Sequence, residues 1–144
     1  MSDTYLINQE IADQYIELFR GRADCYGSWD GGCVKQPLTR DTFLQHLHGY
    51  NPIGVYPLVP VHGIGHVVWG CSDIDYKNTT HQWDLHHALT YVDIASWVEE
   101  TVRGYHVWVF AKELVPAEDM RNMFLAAHQV IEVPPKEVNP KQVN

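Results

Sequence analysis

The sequence predicts a mixed α/β (α+β) fold, and two observations predict it. From His66 onward, runs rich in β-branched and aromatic residues alternate with amphipathic runs, in the order strand, helix, strand, strand, helix, strand. Ahead of them, residues 1–60 read as an added α/β element of short helices and short strands. With 144 residues, 45% of them hydrophobic, the chain is long and apolar enough to bury a core, which excludes global disorder.

Each element has a local reason. Ile7, Ile11, Tyr15 and Leu18 fall on one face of a helix from about Asn8 to Phe19, with Asn8 as N-cap. Asp30-Gly31-Gly32 is a turn between two short strands. A short helix runs from about Arg40 to His48, started by Thr39 or Asp41 and stopped by Gly49. Ile53 to Val59 reads as a strand between Pro52 and Pro60, and Val61 to Gly65 as a loop.

His66 to Asp75 is then a first regular strand. Thr80 to Val92 is a helix with Leu85, Ala88, Leu89 and Val92 at i, i+3, i+4, i+7 spacing. Ile94 to Glu100 is a strand followed by a tight turn at Gly104. Tyr105 to Ala111, nearly all β-branched or aromatic, is another. Pro116 opens a helix to about Gln129, where Glu118 and Asp119 complement the dipole and Met120, Phe124, Ala127 and Ile131 form the stripe. Pro134-Pro135 precedes a last short strand, Lys136 to Asn139. The order is that of a ferredoxin-like βαββαβ unit with strands arranged 4-1-3-2, so strands one, three and four are neighbours. The expectation is a single domain, 1–144, with an N-terminal α/β part (1–60) and a βαββαβ part (61–144) joined without a flexible linker.

Composition narrows the function. No window approaches the ~20 apolar residues of a membrane span, and Met1-Ser2-Asp3-Thr4 lacks a basic patch followed by an apolar core, so no signal peptide is expected. Cys25, Cys33 and Cys71 form no CxxC, so a disulfide framework is not expected and a reducing cytoplasm is. Ten basic against 18 acidic residues, a net charge of -8, argue against a general polyanion binder.

The chemistry-bearing residues lie on the strands predicted to be neighbours. Asp73 and Asp75 end the first strand and point the same way, because strand side chains alternate faces. Two adjacent carboxylates repel unless a divalent cation bridges them; the alternative is a solvated turn with one Asp capping the next helix. His106 is the polar side chain of an apolar strand, otherwise a core histidine. Glu137, on the last strand, would be a third carboxylate beside the pair, otherwise an exposed charge. Three carboxylates around two Mg²⁺ or Mn²⁺ ions suit phosphoryl transfer between nucleotides.

The pieces D-I-D at Asp73, E-x-T-x-x-G-Y-H-V-W-V-F ending at Phe110, and K-E-V-N-P-K-Q from Lys136 resemble, in order and spacing, the three motifs of archaeo-eukaryotic primase-type primase-polymerases. The phage and mobile-element branch is the most similar, and Phe19 to Gly27 and Ile53 to Leu58 also look like it. The resemblance implies an RRM-like catalytic unit with an N-terminal α/β unit. It implies Asp73, Asp75 and Glu137 as metal ligands, and His106 on the phosphates of an incoming nucleotide beside the Gly104-Tyr105 backbone. Arg103, Lys141 and Arg22 are candidates for triphosphate or template phosphate contacts. The implied reaction is attack of a primer 3′-hydroxyl on the α-phosphate of an NTP or dNTP, with single-stranded or primer-template DNA as partner and a helicase or other replication and repair domains as further ones. The acidic chain predicts weak, salt-sensitive DNA binding. The sequence departs from the family pattern in a short second motif, where Thr101 stands for a serine, and in how few residues follow Glu137, where the family continues with a glycine-containing strand.

Three rival readings stay open at this point. His62 and His66 with Cys71, or the His86-His87 pair, are zinc-ligand residue types. A non-catalytic RRM-like module would stack bases on Tyr105 or Trp108. A metal-dependent nuclease would use the same carboxylates with water as nucleophile.

Overall fold

The computed structural model describes residues 7–144, so the first four residues, read above for a leader, lie outside them. The chain divides after Tyr56 into two compact units.

In the first unit, α1 (Gln9–Leu18) is capped as expected, with the Asn8 side chain accepting from the Ile11 N–H at 2.8 Å. The strands β1 (Tyr26–Ser28) and β2 (Cys33–Val34) flank the Asp30-Gly31-Gly32 turn. Next come α2 (Arg40–Leu47), capped by Thr39, and β3 (Ile53–Gly54). The three strands form an antiparallel sheet in the order β2-β1-β3. Tyr15 joins the helices, its ring 4.6 Å from Phe19 and edge-on to Phe43 at 6.3 Å.

The second unit holds β4 (Val59–Val61), β5 (Ile64–Ile74), α3 (His81–Tyr91), β6 (Trp97–Glu100), β7 (Tyr105–Pro116), α4 (Ala117–Val130) and β8 (Glu137–Asn139). Its sheet is antiparallel, with β5, β7 and β6 side by side and β8 on the free side of β5. That is the 4-1-3-2 arrangement expected, and the α+β class holds. Both helices lie on one face. Phe124, Leu85, Leu89, Val67 and Val107 are fully buried between helices and sheet, each aliphatic or aromatic side chain contributing ~1.5–3 kcal/mol.

The expected strand from Ile53 to Val59 is instead two, β3 and β4, with the break at Val55 to Leu58. The expected loop at Val61 to Gly65 is the tight end of a β4–β5 hairpin. His62 (φ 50) and Gly63 (φ 77) both take the left-handed conformation that a two-residue hairpin turn requires. β6 begins at Trp97, not Ile94, because Ser96 turns its hydroxyl to His86 Nδ1 at 2.7 Å. β7 runs on to Pro116 by pairing Val115 and Pro116 with Val67 and His66.

Candidate active site

Parity decides which side chains share a face. Ser72 and Ile74 of β5 point into the helices, where Ser72 Oγ meets His128 Nε2 at 2.6 Å. Asp73 therefore points to the opposite, open face. Its register partners are His106 on β7 and Glu137 on β8, and His106 in turn opposes Glu99 on β6. The result is one row across four strands, Glu137-Asp73-His106-Glu99.

In that row Asp73, His106 and Glu137 are half-buried and Glu99 is exposed. His106 Nε2 lies 3.7 Å from Asp73 Oδ1 and its Nδ1 lies 2.7 Å from Glu99 Oε1. Asp75, just past the end of β5, sits between two cations, Lys136 Nζ at 3.0 Å and Arg103 Nε at 3.3 Å. The Lys136 hydrogen bond, helped by the charges of Arg103 and Lys136, holds the Asp75 carboxyl below the usual carboxylate range, against the opposing effect of desolvation. Asp73, Asp75, Thr101, Val102, Arg103 and His106 line a shallow cleft of about 220 Å³. That is below the ~300–1,000 Å³ of an enclosing ligand pocket, and its lining suits ions and phosphates rather than a whole nucleoside.

Gly104 sets the position of Asp75. A Cβ at Gly104 would lie 1.8 Å from the Ile74 carbonyl oxygen and 2.8 Å from the Tyr76 nitrogen. Only glycine lets the β6–β7 turn touch the backbone on both sides of Asp75. Thr101 closes the same turn: its N–H donates to the Gly104 carbonyl at 2.9 Å, and its hydroxyl oxygen accepts from the Gly104 N–H at 3.0 Å. Tyr105 turns to the other face, with Lys77 Nζ 4.8 Å from its ring centre.

The carboxylates supply the hard oxygen donors that Mg²⁺ or Mn²⁺ takes, and the two cations on Asp75 show that the position attracts positive charge. Glu137 is adjacent by register, but its carboxylate is turned to Lys141 Nζ at 2.8 Å. Among the described residues no group of three or more His, Cys, Asp or Glu side chains converges as a metal cluster. The three-carboxylate set is thus aligned by strand register and not by side-chain convergence. Arg22 stands in the first unit, paired with Asp24 at 2.6 Å.

Of the residues named for zinc, His62 and Cys71 are far apart. His62 is in the hairpin turn, and Cys71 lies nine residues on, ~25 Å or more along an extended strand. Burial first, then the charges of Asp73, Glu99 and Glu137, push the Cys71 thiol far above its usual range.

Glu99 and Lys136 lie inside the quoted motifs, yet sequence reading gives them no role. The signal for Glu99 is hairpin parity: it occupies the position on β6 that faces His106.

Comparisons with known proteins show the family. A family model described as "TOTE conflict system, Archaeo-Eukaryotic Primase domain" matches residues 33–138, a span that includes Asp73, Asp75, His106 and Glu137. Among solved structures, the polymerase domain from Mycobacterium tuberculosis Ligase D in complex with DNA is similar, with a TM-score of 0.49 and 12% identity. The match covers 85% of this chain and 60% of that one, so this chain spans less than two thirds of that domain's length. No curated protein matches the sequence. No helix among the described residues is long and apolar enough to cross a membrane.

Proposed function

Since the chain belongs to the archaeo-eukaryotic primase family, of the TOTE conflict-system kind, we propose that it is a primase-polymerase catalytic domain. In this reading it joins nucleotides from NTPs or dNTPs to a 3′-hydroxyl on a DNA template. The observation that carries the reading is the Glu137-Asp73-His106 row, held in register on three adjacent strands, with Asp75 two residues past Asp73.

Asp73 and Asp75 would hold divalent cations, Mg²⁺ or Mn²⁺, with Glu137 joining on release from Lys141. Bound there, such an ion lowers the pKa of an attacking hydroxyl and neutralises departing pyrophosphate. The chain's own groups orient the substrate. His106 Nε2, at the cleft wall, faces the position of a phosphate oxygen. Arg103 and Lys136 already lie on the cleft's carboxylate and would turn to triphosphate oxygens once an ion takes Asp75. Lys141 and Arg22 are further phosphate candidates. The net charge of -8 would leave DNA held weakly by this chain, with firm binding supplied by a partner or another domain.

The test is primer extension and de novo synthesis with labelled nucleotides on single-stranded templates, with Mg²⁺ or Mn²⁺. Template-dependent products that vanish in Asp73→Ala and Asp75→Ala are the expected result. Equal synthesis by wild type and both variants would end the proposal. Cleavage of the template in place of synthesis would assign the site to a nuclease.

A further inference from the structure

We propose that Glu99 is a positioning residue that locks the His106 imidazole in one tautomer and aims its Nε2 into the cleft. The inference rests on the functional reading above for its consequence, but not for its geometry.

Glu99 Oε1 lies 2.7 Å from His106 Nδ1 and 3.1 Å from Trp108 Nε1. An ionised carboxylate only accepts hydrogen bonds, and an indole N–H only donates, so the proton of a neutral His106 belongs on Nδ1. One oxygen therefore receives two N–H groups from alternate residues of the same strand. The Trp108 bond fixes where that oxygen stands, and the ring of Trp108 adds an edge contact to His106 at 5.6 Å, at 85° between planes. With Nδ1 tied, Nε2 must point away from β6, toward Asp73, at 3.7 Å, which is beyond hydrogen-bond reach. Nε2 is therefore held facing the cleft, with Asp73 as an ion-pair neighbour and no hydrogen bond between them. A carboxylate behind a functional histidine is a general means of fixing both tautomer and ring orientation.

An isolated imidazole prefers the proton on Nε2 and rotates about χ2, so the arrangement needs Glu99. Glutamine at the same position keeps an oxygen acceptor for both donors, whereas alanine removes it. Trp108→Phe removes one donor and leaves the His106 bond in place.

The experiment combines long-range ¹H–¹⁵N correlation of the imidazoles with equilibrium binding of a non-hydrolysable nucleoside triphosphate and Mg²⁺. Spectra are taken on the metal-free chain at the alkaline end of the pH range in which it stays folded. The His106 signals are assigned by their loss in His106→Gln. Expected are Nδ1–H in wild type, Glu99→Gln and Trp108→Phe, and conversion to mainly Nε2–H in Glu99→Ala. Nucleotide binding should weaken roughly tenfold in Glu99→Ala and recover to within about threefold in Glu99→Gln, with primer-extension KM rising more than kcat falls. An Nε2–H signal in wild type, or an unchanged tautomer in Glu99→Ala, would overturn the proposal. The expected tautomers in a chain that binds no nucleotide would confirm the positioning by Glu99 and sink the polymerase reading instead.

Discussion

Replacing Gly104 with alanine tests the link between turn packing and the site. The added Cβ would sit 1.8 Å from the Ile74 oxygen, roughly 1.5 Å short of the ~3.3 Å at which a carbon meets a carbonyl oxygen. The other close atoms, the Ile74 carbon and the Tyr76 nitrogen, both at 2.8 Å, are also backbone, so no side-chain rotation relieves the overlap. The β6–β7 turn must lift off the end of β5 by more than an ångström, and Asp75 lies between the two residues it presses on. Forced overpacking typically costs ~1–3 kcal/mol. A displacement of about 1 Å at a reacting centre costs on the order of 10²-fold in rate. Urea denaturation should therefore show a lower midpoint with an unchanged slope, and primer extension at a temperature where the variant stays folded should fall ~100-fold. Wild-type stability together with wild-type extension would show that the close approach does not govern the site.

Three further outcomes follow from side-chain partnerships. Lys136→Ala should raise the Asp75 carboxyl toward its ordinary range, read by ¹³C NMR of the side-chain carbonyl; an unmoved titration would mean that Arg103 alone sets it. Ser72→Ala strips the partner from the buried His128 Nε2 and should destabilise by ~1–3 kcal/mol in urea unfolding, and no loss would show the nitrogen satisfied otherwise. Burial holds the His128 imidazole below its usual pKa. The unfolded chain therefore takes the proton more readily, so stability is complete above about pH 6.5 and declines as pH falls below it. The unfolding midpoint should drop between about pH 7 and pH 5, less steeply in His128→Gln, and parallel slopes would remove His128 as the cause.

Much of the fold follows from local pattern. The Asn8 and Thr39 caps, the alternation in β5 and β7, and the stripe of α4 are all written in short windows of sequence. The errors arise where distant partners decide. Lys112 and Glu113 break the apolar run of β7, but that strand continues because its far end pairs with His66 and Val67 beyond a bulge. Pro60 marks a boundary in sequence, yet it is tolerated inside β4, an edge strand with no ladder bond required on its outer side. In the site, D-I-D, G-Y-H and K-E-V could be found as motifs, and the row they form follows from the strand order. The hold of Glu99 on His106 and of Lys136 on Asp75 could not be read from the motifs themselves. Both depend on which residue stands opposite which, a register set by tertiary pairing.

β8 gives the site an uneven durability. The strand is three residues long, pairs with β5 at one edge, and is fastened mainly by buried Val138 and by Arg121 Nη1, which donates to the carbonyls of Val138 and Pro140 at 3.0 Å each. Asp73 and His106 ride instead on the two longest strands of the sheet. Sub-global opening of β8 would carry Glu137 away while the rest of the domain stayed native. Amide hydrogens of Glu137 to Asn139 should then exchange with solvent well before those of β5 and β7. The third carboxylate would come and go on the timescale of a fraying edge, and any ligand that bridges it to Asp73 would slow that exchange.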